Sequence, residues 1–198
     1  MRRLREVVEK FRLYSSVSEM GEIGRRYFVI NAFDGAMVIL GVVLGAFVAG
    51  ARDPSMIVSA GLGGMLAMGI SGFAGVYISE RAERIKRLKD LEKAMLADLG
   101  NSVIGDATRF APVALAVIDG IAPAIPAFVA ILPFILCLRG AMLIEQAYAL
   151  SILLTLVLLF LLGALLGRLS GENVFIYGFV TTFVGLATAA LILGLGGN

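Results

Sequence analysis

Histidine and tryptophan are absent from this chain, cysteine occurs once, and charged residues make up only 16% of its 198 positions. Each scarcity excludes something. Without histidine, any metal site has to be built from carboxylates, carbonyls, hydroxyls, methionine thioethers or Cys137. A single cysteine cannot form an internal disulfide, and it leaves the redox compartment open. So few charges could not cover the core of a soluble domain of this length. What is abundant is apolar: 59% of residues are hydrophobic and 24 are glycine, with a mean hydropathy of +0.93. The composition points to an all-α integral membrane protein.

Five apolar runs are long enough to span, at about 27–50, 56–78, 109–136, 147–166 and 173–195, each near or above the roughly 20 residues that a ~30 Å hydrocarbon layer requires. The third contains Pro112, Pro123, Pro126 and Pro133, which free carbonyls and bend the helix. The net charge of +2 is uninformative because the charges are segregated. Fifteen Lys and Arg lie before the first run, between the second and third, or at Arg168; only Arg52 and Arg139 fall on the other side. The N-terminus is therefore expected in the cytoplasm and the C-terminus outside.

This gives a four-part organisation. Residues 1–26 show no secretory signal pattern; Val7, Val8, Phe11 and Leu13 alternate with basic residues, as in an amphipathic helix lying on the membrane. Residues 27–78 hold spans one and two. Residues 79–108 form a cytoplasmic helical connection, expected to extend span two, with Ile85, Leu88, Leu91, Met95 and Leu99 at helical spacing. Within it, Glu80 with Arg84, and Glu83 with Lys86 or Arg87, read as ordinary surface pairs. Residues 109–198 hold spans three to five. Glycines at 41, 45, 61, 64, 69, 72 and 75 allow close helix approach, within one subunit or between two.

Against this background Asp34 stands out. It lies inside "RRYFVINAFDGAMVILGVVLGAF", about 10 Å into the first run at 1.5 Å per residue. Asp119 lies similarly deep in the third, and Asn31 shares a helical face with Asp34. An unpaired carboxylate in hydrocarbon costs several kcal/mol, so such residues are functional candidates. The structural alternative is a protonated cap, or a pair with Arg25, Arg26 or Arg109. Met37, Met65 and Met68 sit one turn from Asp34 or from each other; methionine is usually filler, and as a ligand it is soft. Glu80, Glu83, Glu92, Met95 and Asp98 could gather a cation or simply form a solvated helix face. Glu145 reads as an interfacial charge.

Enzymatic readings fare poorly. Asp34 and Asp119 are each followed by glycine, but "AVI" precedes Asp119 where an intramembrane aspartyl protease carries Gly-x-Gly. The long aspartate motif of CDP-alcohol phosphotransferases is absent. The expectation is a protein that is not an enzyme.

Taken in order, "NAFDGAMVILGVVLGAFVAG", "GLGGMLAMGISGFAGVYIS", "GIAPAIPAF", "LLFLLGALLGRLSG" and "VGLATAALILGLG" resemble the vacuolar iron transporter family across all five spans. The resemblance implies a homodimer whose path runs between the two first helices. It implies export of Fe²⁺ or Mn²⁺ from the cytoplasm in exchange for protons, with no permanently bound cofactor and no nucleic-acid partner. Asp34 would be ligand and proton carrier and Met68 the soft ligand; Glu80 and Glu83, which only echo the family's cytoplasmic metal store, are expected as further metal-binding residues. Asn31, Met37, Met65 and Asp119 would line the pathway. Two departures stand out: the glutamate-rich cytoplasmic domain of vacuolar members is reduced to about 28 residues, and Ala60 and Phe73 replace a glutamate and a tyrosine. The short connection favours a prokaryotic cell membrane. The alternative is a non-transporting scaffold or binding protein on the same fold.

Overall fold

A chain so uniformly apolar has to satisfy its backbone internally, and helices do that within one segment. The computed structural model describes residues 20–196, all helix and connecting turns. The helices are α1 Met20–Val48, α2 Pro54–Met95, α3 Val103–Ile121, α4 Ala124–Leu138, α5 Ile144–Ser170 and α6 Val174–Gly196. Helices α1, α2, α5, α6 and the α3–α4 stretch are long and apolar enough to cross a membrane. Most of residues 1–26 lies outside the described residues.

Polar residues fix where the helices start. Asp53 precedes Pro54 and accepts from the backbone N–H of Ser55 at 2.9 Å and from its hydroxyl at 2.7 Å, an N-cap followed by proline at the first helical position. These bonds hold the exposed Asp53 carboxyl below its ordinary range. Asn173 caps α6 through the N–H groups of Phe175 and Ile176. Helices α1, α4 and α5 end on Gly50, Gly140 and Gly171, each left-handed. There Ala51, Ala141 and Glu172 donate back to Ala46, Leu136 and Gly167, the Schellman pattern. Helix α2 ends the same way but on Leu96, at φ 52°.

The sequence anticipates a bent third span; the structure breaks it. Helix α3 stops at Ile121, and Pro123 sits at the N-terminal boundary of α4. Pro112 and Pro133 stay inside helices, and Pro126 falls in the first turn of α4, where a missing N–H costs nothing. The connection after span two continues that helix: it is the last part of the 42-residue α2, which ends at Met95, short of Leu99.

Contacts divide the chain into two compact units, Met1–Phe28 with Ile70–Gly120 and Val29–Gly69 with Ile121–Asn198. In the first, Met20, Ala111 and Leu115 are buried together, with Ile23, Tyr27, Val76 and Ala114 around them. In the second, one core gathers Ile39, Val43, Ile57, Ile131, Phe134 and Tyr148, and another Ala36, Leu40, Leu44 and Leu159. Helices α5 and α6 approach closely at Gly163, where an added Cβ would stand 2.9 Å from Thr181 Cγ2. Thr181 donates across to Leu159 O at 2.8 Å, and Ser151 donates from α5 to Ala130 O at 2.7 Å. Among the described residues no buried side-chain N or O lacks a partner.

A second close backbone approach in the second unit involves Gly35. A Cβ there would lie 2.7 Å from both Cα and Cβ of Pro123, and a proline ring at a helix boundary has no rotamer with which to yield. Gly35→Ala should therefore lose about 1–2 kcal/mol, the overpacking cost outweighing the ~1 kcal/mol that alanine gains in helix propensity. Gly75→Ala, whose Cβ meets nothing within 4 Å, should be neutral or stabilising; thermal unfolding in detergent compares the two. At Asp53 the sign is set by a lowered folded value: its contribution is full above the unfolded pKa, ~3.9, and fades as pH falls through the lower folded one. An NMR titration of the Asp53 carboxyl should show a midpoint below that of a free aspartate, rising towards it in Ser55→Ala.

Candidate functional site

Gly35 faces Pro123, so the phase of α1 is fixed at that point. Val29, Ala32, Ala36, Ile39, Leu40, Val43 and Leu44 are buried, while Ile30, Asp34, Val38 and Gly45 are exposed. At 100° per residue the exposed positions 30, 34, 38 and 45 fall on one stripe with the half-buried Gly41. Asp34 is thus presented outward on the single chain, amid side chains as apolar as Ile30 and Val38, 47% and 43% exposed. No Cβ contact within 4 Å exists at Gly41 or Gly45.

Met65 and Met68 come to one flank of this stripe. With Gly35, Val38, Val42, Gly61 and Pro123 they line a small depression. Met37 goes to the opposite flank, packed with Leu40, Leu44 and Leu159. Met37, one turn from Asp34, and the pair Met65 and Met68 of α2 therefore lie on different flanks. Asn31 is half-buried and engaged in an interaction of its own. Asp119 is buried at 6% exposure, also partnered, and lies within electrostatic reach of Tyr27 in the first unit.

Glu80 departs most from its reading as half of a surface pair. Arg84 Nε donates to its Oε2 at 2.9 Å, both side chains only about one-tenth exposed (11% and 12%). The Tyr27 hydroxyl donates to its Oε1 at 2.8 Å from 53 residues away. Both carboxylate oxygens are thereby occupied, and the start of α1 is tied to α2. Sequence spacing offered the Glu80–Arg84 half; nothing in it marked Tyr27. Glu83 pairs with Arg87 at 3.0 Å and is exposed, as expected. Glu92 accepts from Leu99 N at 3.0 Å and Asp98 from Gly100 N at 2.8 Å, so both acids shape the turn after α2. Glu145 faces Arg52 at 3.7 Å in solvent. Among the described residues no group of three or more His, Cys, Asp or Glu could hold a metal ion within one chain.

Five helices of spanning length and apolar surfaces such as Ile70, Phe179 and Phe183, each more than 60% exposed, define an integral membrane protein. The chain matches the VIT family over residues 25–98 and 85–197. It is 36% identical over 174 residues to an uncharacterized protein of Methanocaldococcus jannaschii, covering 86% of this chain and 87% of the relative. The protein belongs to the VIT family. Membership points to membrane transport of metal ions.

The Glu80 cluster allows a direct test. Removing one member of a buried ion pair strands the other, so Glu80→Ala should cost about 3 kcal/mol, whereas Tyr27→Phe removes one hydrogen bond and should cost about 1–2 kcal/mol. Thermal unfolding with a double-mutant cycle measures both and their coupling. A loss under about 0.5 kcal/mol for Glu80→Ala would mean a solvated surface pair.

Proposed function

We propose that this protein carries divalent Fe²⁺ or Mn²⁺ out of the cytoplasm in exchange for protons, as a homodimer with Asp34 at the shared interface. The observation that supports it best is the outward presentation of Asp34 on an apolar stripe. A carboxylate facing lipid has no partner, whereas one facing a second copy of the same stripe meets another carboxylate. Gly41 and Gly45 on that stripe leave room for a second helix to approach. A two-fold axis there doubles one oxygen donor into two.

Two carboxylates in a low-dielectric path can hold a cation or hold a proton, and each excludes the other. That competition is the chemical basis of antiport. Met68, on the flank beside Gly35 and Val38, would add a thioether that favours Fe²⁺ over the hard cations Mg²⁺ and Ca²⁺. Met65 accompanies it, and Asn31 contributes polarity one turn before Asp34. In this reading Glu80 is a structural latch, and cation collection outside the membrane falls to exposed acids such as Glu83.

Proteoliposomes containing an internal pH dye test the proposal. Fe²⁺ or Mn²⁺ uptake should accompany proton exit from the lumen, and Asp34→Asn should reduce both to background while the protein still elutes as a dimer. Met68→Leu should lower Fe²⁺ flux several-fold more than Mn²⁺ flux, because the softer ion loses more with the sulfur. Folded dimeric protein that moves no divalent ion would leave a scaffold on this fold.

A further inference from the structure

Helix α2 extends past its apolar part and, with the start of α3, encloses a cavity of about 470 Å³ in the first unit. Two arginines line it, Arg81 from α2 and Arg109 from α3, and among the described residues no carboxylate does; Asp106, one turn before Arg109, is not part of the lining. Neither arginine forms an ion pair among the described residues. Their neighbours on α2 do: Arg84 and Arg87 each find a glutamate four residues earlier. Arg81 has Tyr77 in that position, donates to its hydroxyl and lies over its ring at 5.7 Å. Arg109 spends a donor on Gly100 O at 3.3 Å. Both guanidinium groups keep most of their N–H donors, and Tyr77, accepting from Arg81, keeps its own proton to donate.

Ile85, Leu88 and Pro112 give the cavity an apolar wall, and Gly105 and Thr108, whose hydroxyl is spent on Ile104 O at 2.9 Å, complete the described lining. The cavity lies where the apolar runs of α2 and α3 give way to charge, the level of a bilayer's headgroups. Donors converging from two helices suit a tetrahedral oxyanion, while a planar carboxylate is satisfied by one fork. The volume falls in the range of about 300–1,000 Å³ that holds small organic ligands, so an inorganic anion alone would leave the apolar wall bare. We propose that this cavity binds a phosphoryl anion between Arg81 and Arg109, with the phosphate of an anionic phospholipid as its occupant and the lipid's apolar portion on Ile85, Leu88 and Pro112. Basic pockets at this depth are a recurrent form of headgroup recognition. The inference does not depend on the transport reading.

Native mass spectrometry of the full chain, with phosphatidylglycerol and phosphatidylcholine supplied in equal amounts, tests it. Wild type should retain phosphatidylglycerol preferentially. Arg81→Gln/Arg109→Gln should weaken that retention about tenfold or more, the scale of losing charge-assisted bonds from both forks. Arg87→Gln/Lys89→Gln, the same charge removed outside the cavity, should leave it intact. A parallel titration of inorganic phosphate into protein in phosphatidylcholine nanodiscs separates the sources. Phosphate binding lost in the same double variant supports the phosphoryl site with a soluble occupant. Equal retention of the two lipids by wild type together with no phosphate binding overturns the proposal. So does phosphatidylglycerol retention unchanged in the double variant. Should the glutamine variant not fold, Arg81→Lys/Arg109→Lys keeps the charge without the fork and should retain less phosphatidylglycerol than wild type; equal retention counts against the site.

Discussion

The contact of Gly35 with Pro123 governs the rest of the second unit. A helix apolar on every side has no preferred rotation, and only a contact that tolerates no alternative can set one. The absent side chain of Gly35 lets α1 rest against the rigid break between α3 and α4. Once that contact is made, Ala36, Ile39, Leu40 and Val43 turn inward and Asp34 turns outward. The dipeptide Asp34-Gly35 thus unites two requirements, a carboxylate aimed away from the core and a missing Cβ aimed into it.

The first unit is organised by a different economy. It contains most of the charge, and four arginines of α2 and α3 divide into two kinds. Arg84 and Arg87 answer glutamates of their own helix, and the Arg84 pair is buried together with the Tyr27 hydroxyl. Arg81 and Arg109 answer no acid among the described residues and face a cavity instead. Buried charge is expensive unless paired, so the pairing of Arg84 follows from its depth. The freedom of Arg81 and Arg109 follows from their exposure. The same side chain serves as a structural bond in one place and as an available donor in the other.

The sequence made the helical class, the five spanning stretches, the long extension of α2 and the family legible, because these depend on run length, periodicity and motif order. It could not show which of four prolines would break the third span. Pro112 and Pro133 are each compatible with a continued helix, while the break falls at Pro123, which packs against Gly35. Nor could it show that Glu80 is buried: an i,i+4 pair looks the same in sequence whether solvated or enclosed, and the Tyr27 bond spans 53 residues. Nor could spacing along a helix show which flank of α1 meets α2, so it did not say that Met65 and Met68 come beside Gly35 and Val38 while Met37 packs near Leu40 and Leu159.

A donor count then bears on how a cation could be held. A hard divalent ion takes about six oxygen or nitrogen donors, while the exposed stripe of α1 offers one carboxylate per chain. With no histidine in the sequence and no triad of acids within one chain among the described residues, a single copy of this stripe is a poor permanent binding site. For a carrier that is an advantage, because a cation bound too well is not released. Under the proposed function, symmetry supplies a second carboxylate, Met68 adds selectivity without charge, and water or backbone oxygen completes the shell. The proton competes for the only charged donors present. A richer ligand set would bind more tightly and exchange less readily, so the scarcity of ligands along this path is itself consistent with transport and not storage.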